Sequence, residues 1–168
     1  MGIVGQIGAW KGHEDLIDAL GLLQRDGIRP SLFIFGSGAP EYVAALEESA
    51  VELGVQQQIE WCGYVADKSQ IFGAIDVCVV PSRFEEPLAT SAIEAGGYGC
   101  PVICSSSGGL PEIVKHGETG FVVERRRRMR LPSVPQSHHP EACRSQHGDT
   151  LRPPDRQPQC SSCGACPL

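Results

Sequence analysis

Glu86 and Glu94 stand eight residues apart, and Pro-Leu-Ala-Thr-Ser-Ala-Ile fills the interval. Proline suits the first position of a helix, where its missing N–H costs nothing. A helix from Glu86 to Tyr98, entered through Pro87, is therefore predicted. Glu86 would lie at the helix mouth and Glu94 two turns inside, offset by roughly 12 Å at ~1.5 Å per residue. That offset is about the span from a sugar, across a diphosphate, to a ribose. The free N–H groups of Leu88, Ala89 and Thr90 would point out of the helix start, where anions bind. Carboxylates for hydroxyls and amides for phosphates are the equipment of a nucleotide-sugar site. A capped helix bearing a solvated glutamate is the plainer alternative.

Lys11 precedes Gly12 where a loop enters a helix. An ammonium there, with the helix N-terminus, can neutralise a diphosphate. A surface lysine beside a turn is the alternative. Gly5 and Gly8 permit close approach of a ligand to the backbone. Gly36 and Gly38 fail as a dinucleotide fingerprint, because Gly36-Ser37-Gly38-Ala39-Pro40-Glu41 lacks the third glycine and follows the second strand. Glu85 is expected to be solvated, Asp76 to end a helix or start a strand, His13 to face solvent at a helix start, and His116 to sit in a turn.

These residues need elements to hold them. Apolar runs at 3–5, 31–36, 59–63, 77–82, 101–105 and 121–123 read as strands. Helices are expected at 13–24, 41–53, 68–74 and 86–98, with a helical turn at 111–115. Strands that are apolar throughout are buried on both faces. Alternation of strand and helix predicts an α/β fold, an open parallel Rossmann-like sheet with helices on both faces. A ligand then lies at the carboxyl ends of the strands, where the loops holding Lys11, Gly36–Gly38, Tyr64 and Glu86 converge.

The segments carrying these residues resemble the retaining glycosyltransferases of family four, also called group 1, which have the GT-B fold. The likeness runs over VGQIGAWKGHEDLIDAL (4–20), GSGAPEYVAALEESAVELGV, QIEWCGYV, VCVVPSRF (77–84), the Glu-x7-Glu segment and GCPVICSSSGGLPEIVKHGETGFVV (99–123). It covers roughly residues 2–124, in family order and spacing. The resemblance implies the C-terminal, donor-binding half of such an enzyme, of hexosyltransferase type. A sugar would pass from a nucleoside-diphosphate sugar to an acceptor hydroxyl with its configuration kept and no metal or other cofactor required. Lys11 would meet the diphosphate, Glu86 the donor-sugar hydroxyls and Glu94 the ribose. Tyr64 and Val65 would hold the base, and the Gly36–Gly38 loop would line the cleft. The chain departs from the family at Gln6, where Arg often stands, and at Leu88 and Ala89, where an aromatic residue and Gly are usual. An Ala89 methyl would crowd a phosphate. The acceptor, whether glycan, lipid or small molecule, would be held by an N-terminal domain that this chain lacks. A truncated product that only binds nucleotide is the alternative from a different class.

Composition breaks at Glu124. Residues 1–124 hold 6 Lys+Arg and 17 Asp+Glu, whereas residues 125–168 hold 8 and 3. The tail contains no Ile, Phe, Trp or Tyr but seven of the thirteen prolines, too few apolar groups to offset the entropy of ordering. It is expected to be disordered. The chain has no Asn and prefers Arg to Lys, as GC-rich coding sequence often does, so a shifted reading frame after Glu124 is one expectation and a genuine basic tail the other. Cys160-x2-Cys163-x2-Cys166, with Cys143 or His147, has metal-ligand spacing but no apolar surroundings. Arg125–Arg128 and Arg130 lack the aromatic partners of a nucleic-acid site, so neither a metal nor nucleic acid is assigned to the tail. Cys62, Cys78, Cys100 and Cys104 lie in or beside strands and read as core thiols in a reducing compartment. No run reaches the ~18 apolar residues of a membrane span. No charged and apolar leader opens the chain, and Gln6 stands where myristoylation needs Ser or Thr. A cytoplasmic location follows as an expectation, peripheral to the membrane in a full-length enzyme.

Overall fold

The computed structural model describes residues 1–86 and 88–124. Expectations for Pro87, the basic run and the cysteine-rich tail lie outside the described residues. The chain begins with β1 (Gly2–Val4), a 3₁₀ turn (Ala9–Lys11) and α1 (His13–Arg25). Next come β2 (Leu32–Phe35), α2 (Pro40–Glu52), a second 3₁₀ turn (Gln56–Gln58), β3 (Ile59–Gly63) and α3 (Lys68–Ala74). Then follow β4 (Cys78–Val80), α4 (Thr90–Gly97), β5 (Val102–Ser105), α5 (Leu110–Ile113) and β6 (Gly120–Val123).

The strands form one parallel sheet in the order β3-β2-β1-β4-β5-β6. Because side chains alternate along a strand, each strand feeds two cores. Leu32 and Ile34 face one core with Ile3, Val79 and Ile103, under Leu16, Ile17 and Leu20 of α1 and Leu46 of α2. Phe35, Cys78, Val80, Val102 and Cys104 face the other, with Ile71 and Phe72 of α3, Ala92 and Ala95 of α4 and Leu110 of α5. This double burial explains why the strands read as unbroken apolar runs.

The strand order reverses between β1 and β4. From β1 the chain builds outward through β2 to β3, then returns to β1's other side and continues to β6. The loops that leave β1 and β4 therefore diverge from a common crevice, the usual place for a ligand in an open α/β sheet.

One predicted element is corrected. The helix carrying Glu94 starts at Thr90, with Ala89 as its N-cap, rather than at Glu86–Pro87. Tertiary bonds explain the shift. The Glu86 carbonyl accepts from the Gly109 amide at 2.9 Å, and the Phe84 carbonyl accepts from the Ser107 hydroxyl. Both carbonyls are thus taken by the β5–α5 turn instead of a helix ladder.

Candidate functional site

Three loops meet at the carboxyl edge of the sheet, after β1, β4 and β5. The first carries Lys11 on its 3₁₀ turn, directly before Gly12, the N-cap of α1. The second runs from Pro81 to Ala89. Its Ser82 is buried, and its Glu86 side chain is 15% exposed. Lys11 Nζ lies 2.5 Å from Glu86 Oε1, across 75 residues of sequence. Ser82 Oγ donates to the same oxygen at 2.7 Å. Burial raises the Glu86 carboxyl, but the bonds from Lys11 and Ser82, with the lysine's charge, hold it below its ordinary value. Glu86 is therefore an ionised acceptor at neutral pH.

The third loop clamps the second. Ser105 Oγ donates to the Ser82 carbonyl at 2.7 Å, and the Gly108 amide donates to Glu85 Oε2 at 2.8 Å. Gly108 has a φ of +53°, and a Cβ there would stand 2.4 Å from the Glu86 carbonyl oxygen. Only glycine allows this approach. Glu85 is exposed, as expected, and its carboxylate also joins the clamp.

The predicted residues separate into those the structure brings together and those it leaves apart. Lys11 and Glu86 meet. Gly5 lies beside them, its Cα hydrogen directed toward Lys11 Cε, 3.9 Å from where a Cβ would be. Gln6 is exposed. Gly8 is buried under the Trp10 ring. Gly36 and Gly38 serve a packing purpose: a Cβ on Gly36 would stand 1.8 Å from the Gly5 carbonyl oxygen, and one on Gly38 2.4 Å from that of Ile7. The β1 and β2 loops continue the ladder there, through Ile7 N to Ser37 O at 2.9 Å.

Tyr64 is 80% exposed after β3, and Val65 packs on the core beside it. Leu88 is exposed. The Ala89 methyl is buried among core side chains. The Thr90 amide is not free for an anion, because it donates to the Leu88 carbonyl at 3.0 Å. Glu94 lies within α4 and pairs with Lys68 of α3 at 2.9 Å.

His13 is the clearest reversal. It is 2% exposed rather than solvent-facing, and its Nδ1 has no partner. Burial pushes its imidazole below the ordinary value, against a bond with the Gly8 backbone and the charge of Glu14. The signal was present in the sequence: positions 13, 16, 17 and 20 form a single helical stripe, and the other three are Leu16, Ile17 and Leu20. Asp76 is exposed between α3 and β4. His116 Nδ1 accepts from the Val122 amide at 3.2 Å, a local turn contact.

Sequence reading missed a second charge cluster behind the loop. Arg83 binds Asp15 through two nitrogens at 2.7 and 2.9 Å and Glu14 through a third at 2.9 Å. Tyr42 of α2 donates to Glu14 at 2.5 Å. No local signal marks this cluster, because Arg83 and Asp15 are 68 residues apart. Cys78, Cys100 and Cys104 are buried free thiols as expected, and Cys62 is half-buried. Burial pushes Cys78 up to about 12 and Cys100 and Cys104 up to about 11, which leaves them unreactive. Among the described residues no three His, Cys, Asp or Glu side chains converge as metal ligands, and no helix is long and apolar enough to cross a membrane.

Known proteins share this fold. The family model described as glycosyl transferases group 1 matches residues 1–131. The D-inositol 3-phosphate glycosyltransferase of Corynebacterium efficiens is 36% identical over 128 residues, covering 72% of this chain and 30% of the relative. The chain thus spans about 30% of the length of the curated relatives it matches. Anabaena HepE, crystallised with UDP, superposes with a TM-score of 0.71 at 28% identity, over 77% of this chain and 36% of that one. The C-terminal domain of LpcC, a group 1 glycosyl transferase family protein of Francisella tularensis, gives 0.64 at 29% identity, over 76% and 69%. Sequence match and sheet agree, and the chain belongs to the group 1 glycosyl transferases as a C-terminal-type, Rossmann-like domain of a GT-B enzyme.

Proposed function

We propose that residues 1–124 bind the nucleoside-diphosphate sugar donor of a retaining hexosyltransferase, and that residues 125–168 are no part of that domain. The observation that carries this reading is the meeting of Lys11, Ser82 and Glu86 at the β1/β4 reversal. Donor entry exchanges the ion pair for two new contacts. The Lys11 ammonium neutralises the leaving diphosphate, and the Glu86 carboxylate accepts from the sugar hydroxyls. Glu94, released from Lys68, accepts from the ribose. The base lies against Tyr64 and Val65. The backbone at Gly5, Gln6, Gly8, Gly36 and Gly38, and at Leu88, Ala89 and Thr90, lines the cleft. Positive charge comes from Lys11, and the reading uses no metal.

The acceptor, a glycan, lipid or small molecule, binds a second domain of the kind that makes up the rest of the relatives' length. Sugar nucleotides place the reaction in the cytoplasm, with the full enzyme peripheral to the membrane when its acceptor is a lipid. Titration calorimetry with UDP, GDP and ADP tests the reading. One of the three should bind, more tightly than its nucleoside, and binding of none would refute it.

A further inference from the structure

Lys11 and Glu86 sit on separate loops, and neither loop fixes their separation by itself. Arg83 joins the two. Its backbone amide donates to the Trp10 carbonyl, one residue before Lys11, at 2.8 Å. Its side chain turns the other way, to the acidic first turn of α1, where it makes the paired hydrogen bonds to Asp15 and an ion pair with Glu14. Glu14 is held in turn by Tyr42 of α2. Both flanks of Lys11 are therefore tied to a residue that lies next to Ser82 and three before Glu86. We propose that Arg83 is a positioning residue of the donor site, setting the Lys11–Glu86 spacing by locking the β4 loop to the start of α1.

A planar guanidinium suits this task. It makes two parallel bonds to one carboxylate and keeps a third nitrogen for another, so direction as well as charge is fixed. A lysine would keep the charge and lose the direction. The assignment deepens the donor-binding reading and rests on it for its functional consequence. The geometric part has its own readout, because Lys11 is one of only three lysines.

The test compares the full chain with Arg83→Gln and Arg83→Lys. Reductive methylation read by mass spectrometry gives the labelling rate of Lys11, with Lys68 and Lys115 as internal references. Arg83→Gln should raise Lys11 labelling relative to both. It should weaken the diphosphate that the wild type prefers by about 5–10-fold, less than loss of Lys11 itself, and leave the nucleoside unchanged. Arg83→Lys should fall between the two. Lys11 labelling unchanged in Arg83→Gln would overturn the proposal. So would equal weakening of diphosphate and nucleoside, which is general loosening of the fold. A wild-type chain that binds no diphosphate, while Lys11 labelling still rises in Arg83→Gln, would sink the donor reading and uphold the positioning.

Discussion

Glu86 accepts from two donors at once, and that sharing sets its chemistry. Its lowered pKa keeps it charged, so it offers donor hydroxyls an acceptor that is already oriented. His13, at the start of α1, is its electrostatic opposite: a titratable group buried without a partner on one ring nitrogen. The folded state depresses its pKa, so the unfolded chain takes up the proton first as pH falls below 6.5. Stability should therefore be complete above that pH and decline below it, by up to about 1.4 kcal/mol per pH unit until the folded-state value is reached. Urea unfolding between pH 7.5 and 5.5 should show the decline, and His13→Gln should flatten it. Identical slopes in the two proteins would show that His13 does not titrate in this way. The sequence read Lys11 and Glu86 as site residues from their types and neighbours. It misread His13 because a polar residue at a helix start looks like a cap, while its place in the 13/16/17/20 stripe says core.

At the scale of elements, the strands and α1, α2 and α3 were legible because their apolar periods are unmixed. The start of α4 was not. Pro87 is a good local signal for a helix, but the Ser105–Gly109 turn takes the preceding carbonyls and holds Phe84 and Glu86 out of it. Local propensity is a weak prior against such bonds. The turn is consequently a support of the site. Gly108→Ala places a methyl against the Glu86 backbone in a left-handed conformation. It should destabilise the chain by more than ~1 kcal/mol, seen as a lower urea midpoint. A midpoint equal to wild type would show that the loop can move away freely. The Arg83 cluster was illegible for a different reason, since its partners meet only after α1 and β4 have been placed side by side.

The whole molecule places its charged pair at a reversal of strand order, with separate cores on the two sheet faces. A site at the carboxyl edge of the sheet followed from strand–helix alternation. The pairing of Lys11 directly with Glu86 did not, because alternation fixes which loops converge and not how far apart their side chains stop. Transfer asks more than donor binding. Holding donor and acceptor at attack distance can supply roughly 7–11 kcal/mol of a barrier. The chain spans about 30% of its curated relatives' length. The purified 168-residue chain should therefore show no steady acceptor-dependent transfer, slow donor hydrolysis being compatible with this expectation. Sustained transfer abolished by Glu86→Ala would contradict it.

The central claim is that Lys11 exchanges Glu86 for a diphosphate, and titration of Lys11→Ala against wild type tests it most directly. Removing one charge-assisted contact should cost ~1.5–3 kcal/mol of diphosphate binding, with nucleoside binding unaltered. Equal affinity of wild type and Lys11→Ala for UDP, GDP and ADP would contradict the account.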